Sequence, residues 1–203
     1  MNNRERNKAH NRNKILAAAR DLLKEGGLEG LSMRSLAERA QVSSRPPYNL
    51  FGSKTDLLLA LLDDPLRQLG ESLPVAFESG ILRASMKLID DAYALYAPDI
   101  EYYRNIFWGV MTSDHPAARV ANLERAQQIA QMLLGQALAR QELLPATPLE
   151  PLARHILLAV AGLLGLWGNA LISAPELVAE IKITLAYSLS RHCSPSLRDE
   201  FLG

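Results

Sequence analysis

The sequence predicts an all-α chain, with an N-terminal three-helix unit laid out as a helix-turn-helix and a larger helical bundle after it. Three observations carry this prediction. Apolar residues recur at a helical period almost throughout, and no strand-like alternation of any length interrupts them. A glycine pair, capping serines and prolines punctuate the chain at helix-length intervals. Between Leu31 and Lys54, two short periodic segments flank a tight turn and are followed by an aromatic pair and a serine-lysine step.

The first helix is expected from about Asn7 to Glu25, burying Ile15, Ala18, Leu22 and Leu23, with Gly26-Gly27 ending it. Ser32 is the natural N-cap of a second helix, Met33–Ala40, whose apolar face is Met33, Leu36, Ala37 and Ala40. Val42 occupies the turn, and Ser43 or Ser44 caps a third helix. Pro46 and Pro47 then fall at its beginning. A proline lacks the backbone donor and disfavours helix in the residue before it, so the pair predicts a late start near Pro46 or Pro47, or a distorted first turn. Ser53 caps a fourth helix with Leu57, Leu58, Leu61 and Leu62 on its inner side, and Pro65 predicts a kink or break near residues 62–65. Further helices are expected at roughly 75–97, 99–112 and 115–142. Asp99 and Asp114 are the expected caps, and Pro98 and Pro116 mark boundaries. After the Pro-rich connector Leu144–Pro151, a final pair is expected at about 151–173 and 176–191. The domain division is placed at residues 1–55 and 56–203.

The chain has 203 residues and zero formal net charge, but the charge is unevenly placed. Residues 1–60 carry 11 Lys/Arg against 6 Asp/Glu, and the remainder carries 11 against 16. A basic end on an acidic body points to a polyanion contact confined to that end. The extreme N-terminus itself reads as a solvated, disordered tail. The single cysteine, Cys193, excludes an internal disulfide and fits a reducing cytoplasm. His192-Cys193 reads as a surface helix end rather than a ligand pair. The polar start MNNRERNKAHNRNK has no signal-peptide core.

The spaced residues Ile15-Leu16, Ala18-Ala19, Leu22, Gly27, Ser32-Met33-Arg34, Leu36-Ala37, Ala40, Val42-Ser43, Tyr48, Phe51, Ser53-Lys54 and Leu57 resemble the TetR-type transcriptional regulators. The resemblance covers about the first 60 residues. It implies an N-terminal domain that binds operator DNA as a homodimer, and a divergent C-terminal domain that binds a small molecule controlling operator affinity. Carried over residue by residue, it assigns DNA contacts to Ser32, Arg34, Ser43, Ser44, Arg45, Tyr48, Asn49 and Lys54. Ser32 offers a helix N-terminus to phosphate. Tyr48 and Lys54 match backbone-contact positions, which set affinity and orientation. Arg34, Ser44, Arg45 and Asn49 are the side chains placed to reach base edges, where arginine pairs with guanine and asparagine with adenine. Two departures stand out. Gln41 replaces the usual turn glycine, which costs about 1 kcal/mol if φ is positive there. Arg45-Pro46-Pro47 replaces a glycine-threonine-apolar run.

The segment Ile156–Ile172 is apolar all round, near the lower length limit for a membrane span. A helix that faces a core on one side and a partner on the other has the same composition, and dimerisation through residues 151–191 is expected instead. Leu177, Ile181, Leu185 and Leu189 supply a stripe for that interface. A pocket lined by Phe107, Trp108, Met111 and His155 is expected for the small-molecule effector. No catalytic constellation, metal site or cofactor is expected. The histidines are scattered, and there is neither a paired Glu-x-x-His nor a Gly-x-Ser-x-Gly elbow. The expected function is a cytoplasmic homodimeric regulator, a repressor released by its ligand. The alternative is a helical ligand-binding or interaction dimer with impaired DNA reading.

Overall fold

The computed structural model describes residues 3–43, 45–77, 80–113, 116–195 and 197–198. They form α1 (Asn3–Gly30), α2 (Met33–Arg39), α3 (Arg45–Phe51), α4 (Lys54–Phe77), α5 (Ile81–Tyr96), α6 (Ile100–Met111), α7 (Pro116–Ala139), α8 (Leu149–Gly168) and α9 (Ala174–Ser190), with one 3-10 turn at Ala97–Asp99. No strand occurs among the described residues; a lone antiparallel bridge joins Leu143 to Cys193. The all-α expectation holds.

The residues gather into two compact units. The first is Met1–Leu66 with Asp99–His115, and the second is Arg67–Pro98 with Pro116–Gly203. Three helices, and not two alone, brace the helix-turn-helix of the first unit. Ile15, Ala19 and Leu23 of α1, Leu36 of α2, Phe51 of α3 and Leu57, Leu58 and Leu61 of α4 share one core. Tyr102 and Ile106 of α6 close it. At Gly109 the approach is close enough that a Cβ would lie 2.6 Å from both Leu28 Cδ2 and Leu58 Cδ1.

The second unit has its own core. Leu134 and Ala137 of α7, Leu152 and Ala153 of α8 and Leu189 of α9 meet Leu143 and Cys193. Cys193 is therefore buried and not part of a surface helix end. Burial pushes its thiol pKa up, because an uncharged sulfur is favoured away from water. Of the stripe expected at the subunit interface, Leu177 and Leu189 are buried within the chain, while Ile181 and Leu185 are half-buried. A stripe at helical spacing identifies a covered face but not what covers it. The outward apolar residues of α8 and α9 are Leu158, Leu166, Ile183 and Tyr187, with Leu171 between the helices.

Several boundaries differ from expectation for identifiable reasons. The basic start is helical from Asn3, not disordered, because Lys, Arg, Asn and Ala are all acceptable on an exposed helix. Gly27, at φ 59°, interrupts that helix, and one extra turn follows it. Pro65 does not divide α4, which runs from Lys54 to Phe77 as one element. Pro65 is buried there, and the packing of the helix outweighs one absent hydrogen bond. The segment expected at 75–97 begins instead at Ile81 behind Gly80, at φ 98°. Asp99 precedes α6 without a side-chain capping bond, and its carboxylate accepts from Lys24 Nζ at 2.8 Å. Asp114 lies outside the described residues. Ser173, uncounted from sequence, caps α9 in a reciprocal box with Glu176. The Ser173 hydrogen bonds hold the Glu176 carboxyl below its usual range.

Three helices end in the same way without glycine. Gln41, Gln141 and Ala170 have φ of 53°, 59° and 56°. After each, the next N–H reaches back to the carbonyl five residues earlier, as in Val42 to Ala37 at 3.0 Å, Glu142 to Ala137 at 3.0 Å and Leu171 to Leu166 at 2.9 Å.

Candidate nucleic-acid interface

The α2–turn–α3 geometry is built by local chemistry. Ser32 Oγ accepts from Ser35 N at 3.0 Å while Ser32 N donates to Ser35 Oγ at 2.9 Å, so α2 starts in a reciprocal serine box. Ser32 itself is exposed, beside the free donors of that helix end. At the other end, Gln41 adopts the left-handed conformation, at φ 53°, that a glycine would take freely.

The third helix begins at Arg45, earlier than expected and without a late start. Pro46 and Pro47 are then its second and third residues. N–H groups at those positions have no intrahelical acceptor in any helix, so neither proline removes a hydrogen bond. Pro47 is fully buried and fills the slot of an apolar residue. The helix closes with Gly52 N donating to Tyr48 O at 2.8 Å.

The exposed face of α3 is Arg45, Tyr48 and Asn49, at the spacing of one helical side, while Pro47 and Phe51 point inward. Tyr48 is 58% exposed. On α2, Arg34 is exposed and paired with Glu38 at 3.0 Å. Such a surface pair is weak, so the guanidinium exchanges it readily for another acceptor. Ser43 is exposed in the turn, and Ser44 lies outside the described residues. Lys54 is half-buried, with its Nζ donating to Leu28 O at 2.8 Å. Burial lowers its pKa, and two of its three ammonium protons are left for other acceptors.

Sequence reading missed the residues that hold this surface in place. Arg12 of α1 pairs with Asp63 of α4 at 3.1 Å, and its guanidinium lies 5.1 Å from the centre of the Phe51 ring. Arg39 donates to both oxygens of Glu25, at 2.9 and 2.6 Å, fastening the end of α2 to α1. That pairing holds the Glu25 carboxyl below and the Arg39 guanidinium above their usual ranges. Pairs separated by 51 and 14 residues leave no local sequence signal. The suggested effector residues divide between the units. Phe107, Trp108 and Met111 are half-buried on α6, and His155 is exposed on α8.

Residues 15–61 match the family described as bacterial regulatory proteins, tetR family. No curated protein sequence matches. Among solved structures, the chain is similar to Thermus thermophilus FadR, a TetR-family transcriptional repressor in complex with lauroyl-CoA (TM-score 0.70, 19% identity, 88% of this chain and 93% of that one). It is also similar to NalD, the secondary repressor of the MexAB-OprM multidrug efflux pump in Pseudomonas aeruginosa (0.63, 20%, 93% and 99%). A third is TylP, a TetR regulator from Streptomyces fradiae (0.64, 21%, 97% and 86%).

Proposed function

We propose, from the premise that this chain is a TetR-type DNA-binding transcriptional regulator, that it acts as a cytoplasmic homodimeric repressor released by a small molecule. The observation that carries DNA reading is the outward face of α3, where Arg45, Tyr48 and Asn49 stand exposed beside Arg34 of α2. In this reading Arg34, Ser44, Arg45 and Asn49 contact base edges, and Ser32, Ser43, Tyr48 and Lys54 contact the backbone.

The dimer is assigned to residues 151–191. It is supported by Leu158, Leu166, Leu171, Ile183 and Tyr187, large apolar side chains left exposed by the chain's own packing. Leu149–Gly168 is long and apolar enough to cross a membrane by length and composition. A partner subunit covers such a face equally well, and the DNA-binding unit on the same chain favours the partner. Effector contacts are assigned to Phe107, Trp108 and Met111 on α6 and, separately, to His155. Release requires that the effector bind the DNA-free arrangement more tightly than the DNA-bound one. The continuous α4 is the segment common to both units, and coupling is assigned to it.

Selection of genomic fragments bound by the full-length chain tests this reading. Enriched fragments with two half-sites about one helical turn of DNA apart are the expected result. Binding that is only weak, steeply salt-dependent and without enrichment points to a ligand-binding or interaction dimer with impaired DNA reading.

A further inference from the structure

The outer side of the second unit bears two exposed stripes whose charges are sorted by end. In that unit α7 packs against α8, and α5 against both α9 and α7, so α8 and α9 form one layer with a free outer side. On α8 the exposed stripe is Leu158, Gly162 and Leu166, one turn apart. On α9 it is Glu180, Ile183, Tyr187 and Arg191. The two helices run antiparallel, because Leu152 and Ala153 at the start of α8 share a core with Leu189 and Cys193 at the end of α9. The layer is therefore apolar in its middle, acidic at one end and basic at the other. Glu176, the preceding acid of the α9 stripe, already accepts from Ser173 N at 2.7 Å. Glu180 is the acid that points outward from this end.

We infer that this layer takes a second copy of the chain turned end for end, and that Glu180 and Arg191 select that orientation. The inference deepens the proposed homodimer and rests on it. In a two-fold pairing of this kind, Glu180 meets Arg191 of the partner subunit, and the reciprocal contact follows by symmetry. The same turn, centred on Gly162, sets Leu158 against Leu166 of the partner subunit and Ile183 against Tyr187 of the partner subunit. Gly162 suits the crossing point, since a Cβ there would meet nothing within 4 Å in its own chain and glycine permits a close approach. With like ends together, the acids of the two copies would share one end and the arginines the other, which is repulsive. An exposed ion pair adds little affinity by itself, so its effect is to penalise the wrong orientation and the wrong partner.

The test measures the dimer dissociation constant of the full-length chain by analytical ultracentrifugation, for the unaltered protein, Glu180→Arg, Arg191→Glu and the double variant. Each single reversal sets like charges together at both symmetry-related contacts and is expected to raise the constant about tenfold or more. The double variant is expected to restore it. Mixing the two single variants, one of them tagged, is expected to give heterodimers in preference to either homodimer, because both contacts then join opposite charges. Glu124→Arg, exposed on α7 and off both stripes, is the control and leaves the constant unchanged. A dimer that the single reversals leave unaffected or strengthen, or one that neither the double variant nor mixing restores, overturns the inference while the proposed homodimer stands. If the unaltered chain stays monomeric, the homodimer fails and this inference with it, and flotation of that monomer with phosphatidylcholine vesicles would give the face to a lipid surface instead. Glu180 and Arg191 are exposed and outside the core, and circular dichroism of each variant confirms that the fold is kept.

Discussion

The hydroxyls of Thr55 and Ser113 are hydrogen bonded to each other inside the first unit, 58 residues apart in sequence. Thr55 is in the first turn of α4 and Ser113 lies just past the end of α6, and both are buried. A buried hydroxyl pair ties the two helix ends together more specifically than apolar contact, because each hydroxyl left without its partner carries a desolvation cost. A double-mutant cycle with Thr55→Val and Ser113→Ala, read by urea unfolding, is expected to give a coupling of about 0.5–3 kcal/mol. Strict additivity would mean that the pair holds nothing.

Gly109 sets how closely α6 approaches its neighbours. Alanine there places a methyl 2.6 Å from side-chain carbons of Leu28 and Leu58. Both leucines must then leave their rotamers or α6 must retreat. The expected loss is about 1–3 kcal/mol, seen as a lower denaturant midpoint at unchanged slope.

The strained turn predicts a gain. Gln41 is exposed at φ 53°, so glycine there removes backbone strain without disturbing the core. Gln41→Gly is expected to stabilise the protein by up to about 1 kcal/mol, and a lowered melting temperature would contradict the assigned backbone.

Tyr102 gives an alkaline signature. Its buried phenol is pushed up to about 12 by loss of solvation, partly opposed by the nearby Arg20 guanidinium. The folded state therefore keeps this proton after the unfolded chain has lost it near the ordinary tyrosine value of about 10. Stability is fully present below that value and falls as pH rises from about 10 to 12. Tyr102→Phe is expected to flatten the fall in melting temperature over that window. The less buried Tyr103, shifted in the same direction, supplies part of what remains.

Base reading and backbone contact separate in binding assays. Arg45→Ala or Asn49→Ala is expected to cost about 1–3 kcal/mol on the preferred fragment and to relax selectivity at one position of each half-site. Tyr48→Phe lowers affinity for all fragments alike. Unaltered selectivity in both Arg45→Ala and Asn49→Ala would move base reading away from α3.

The sequence made legible whatever rests on local chemistry. Ser32 and Ser53 cap where their position before apolar runs predicts, and Leu57, Leu58, Leu61 and Leu62 are all buried. It was less informative about prolines, whose effect depends on register. A shift of one residue in the start of α3 converts Pro47 from a missing hydrogen bond into a filled core position. Pro65 shows the same limit, since tertiary packing and not propensity decides whether a helix continues. The apolar stripe of α9 was visible, but the burial of Leu189 in the chain's own second core, with Leu185 packed against it, was not. Arg12 and the Arg39–Glu25 pair were invisible as positioning groups because their partners are brought near only by the fold.

The proline pair of α3 also bears on how its first turn becomes ordered. With two pyrrolidine rings there, φ is held near its helical value at both positions before the chain folds, so ordering that turn costs less backbone entropy than two flexible residues would. Arg45, Tyr48 and Asn49, the exposed residues around the two rings, are thereby presented from a pre-set turn.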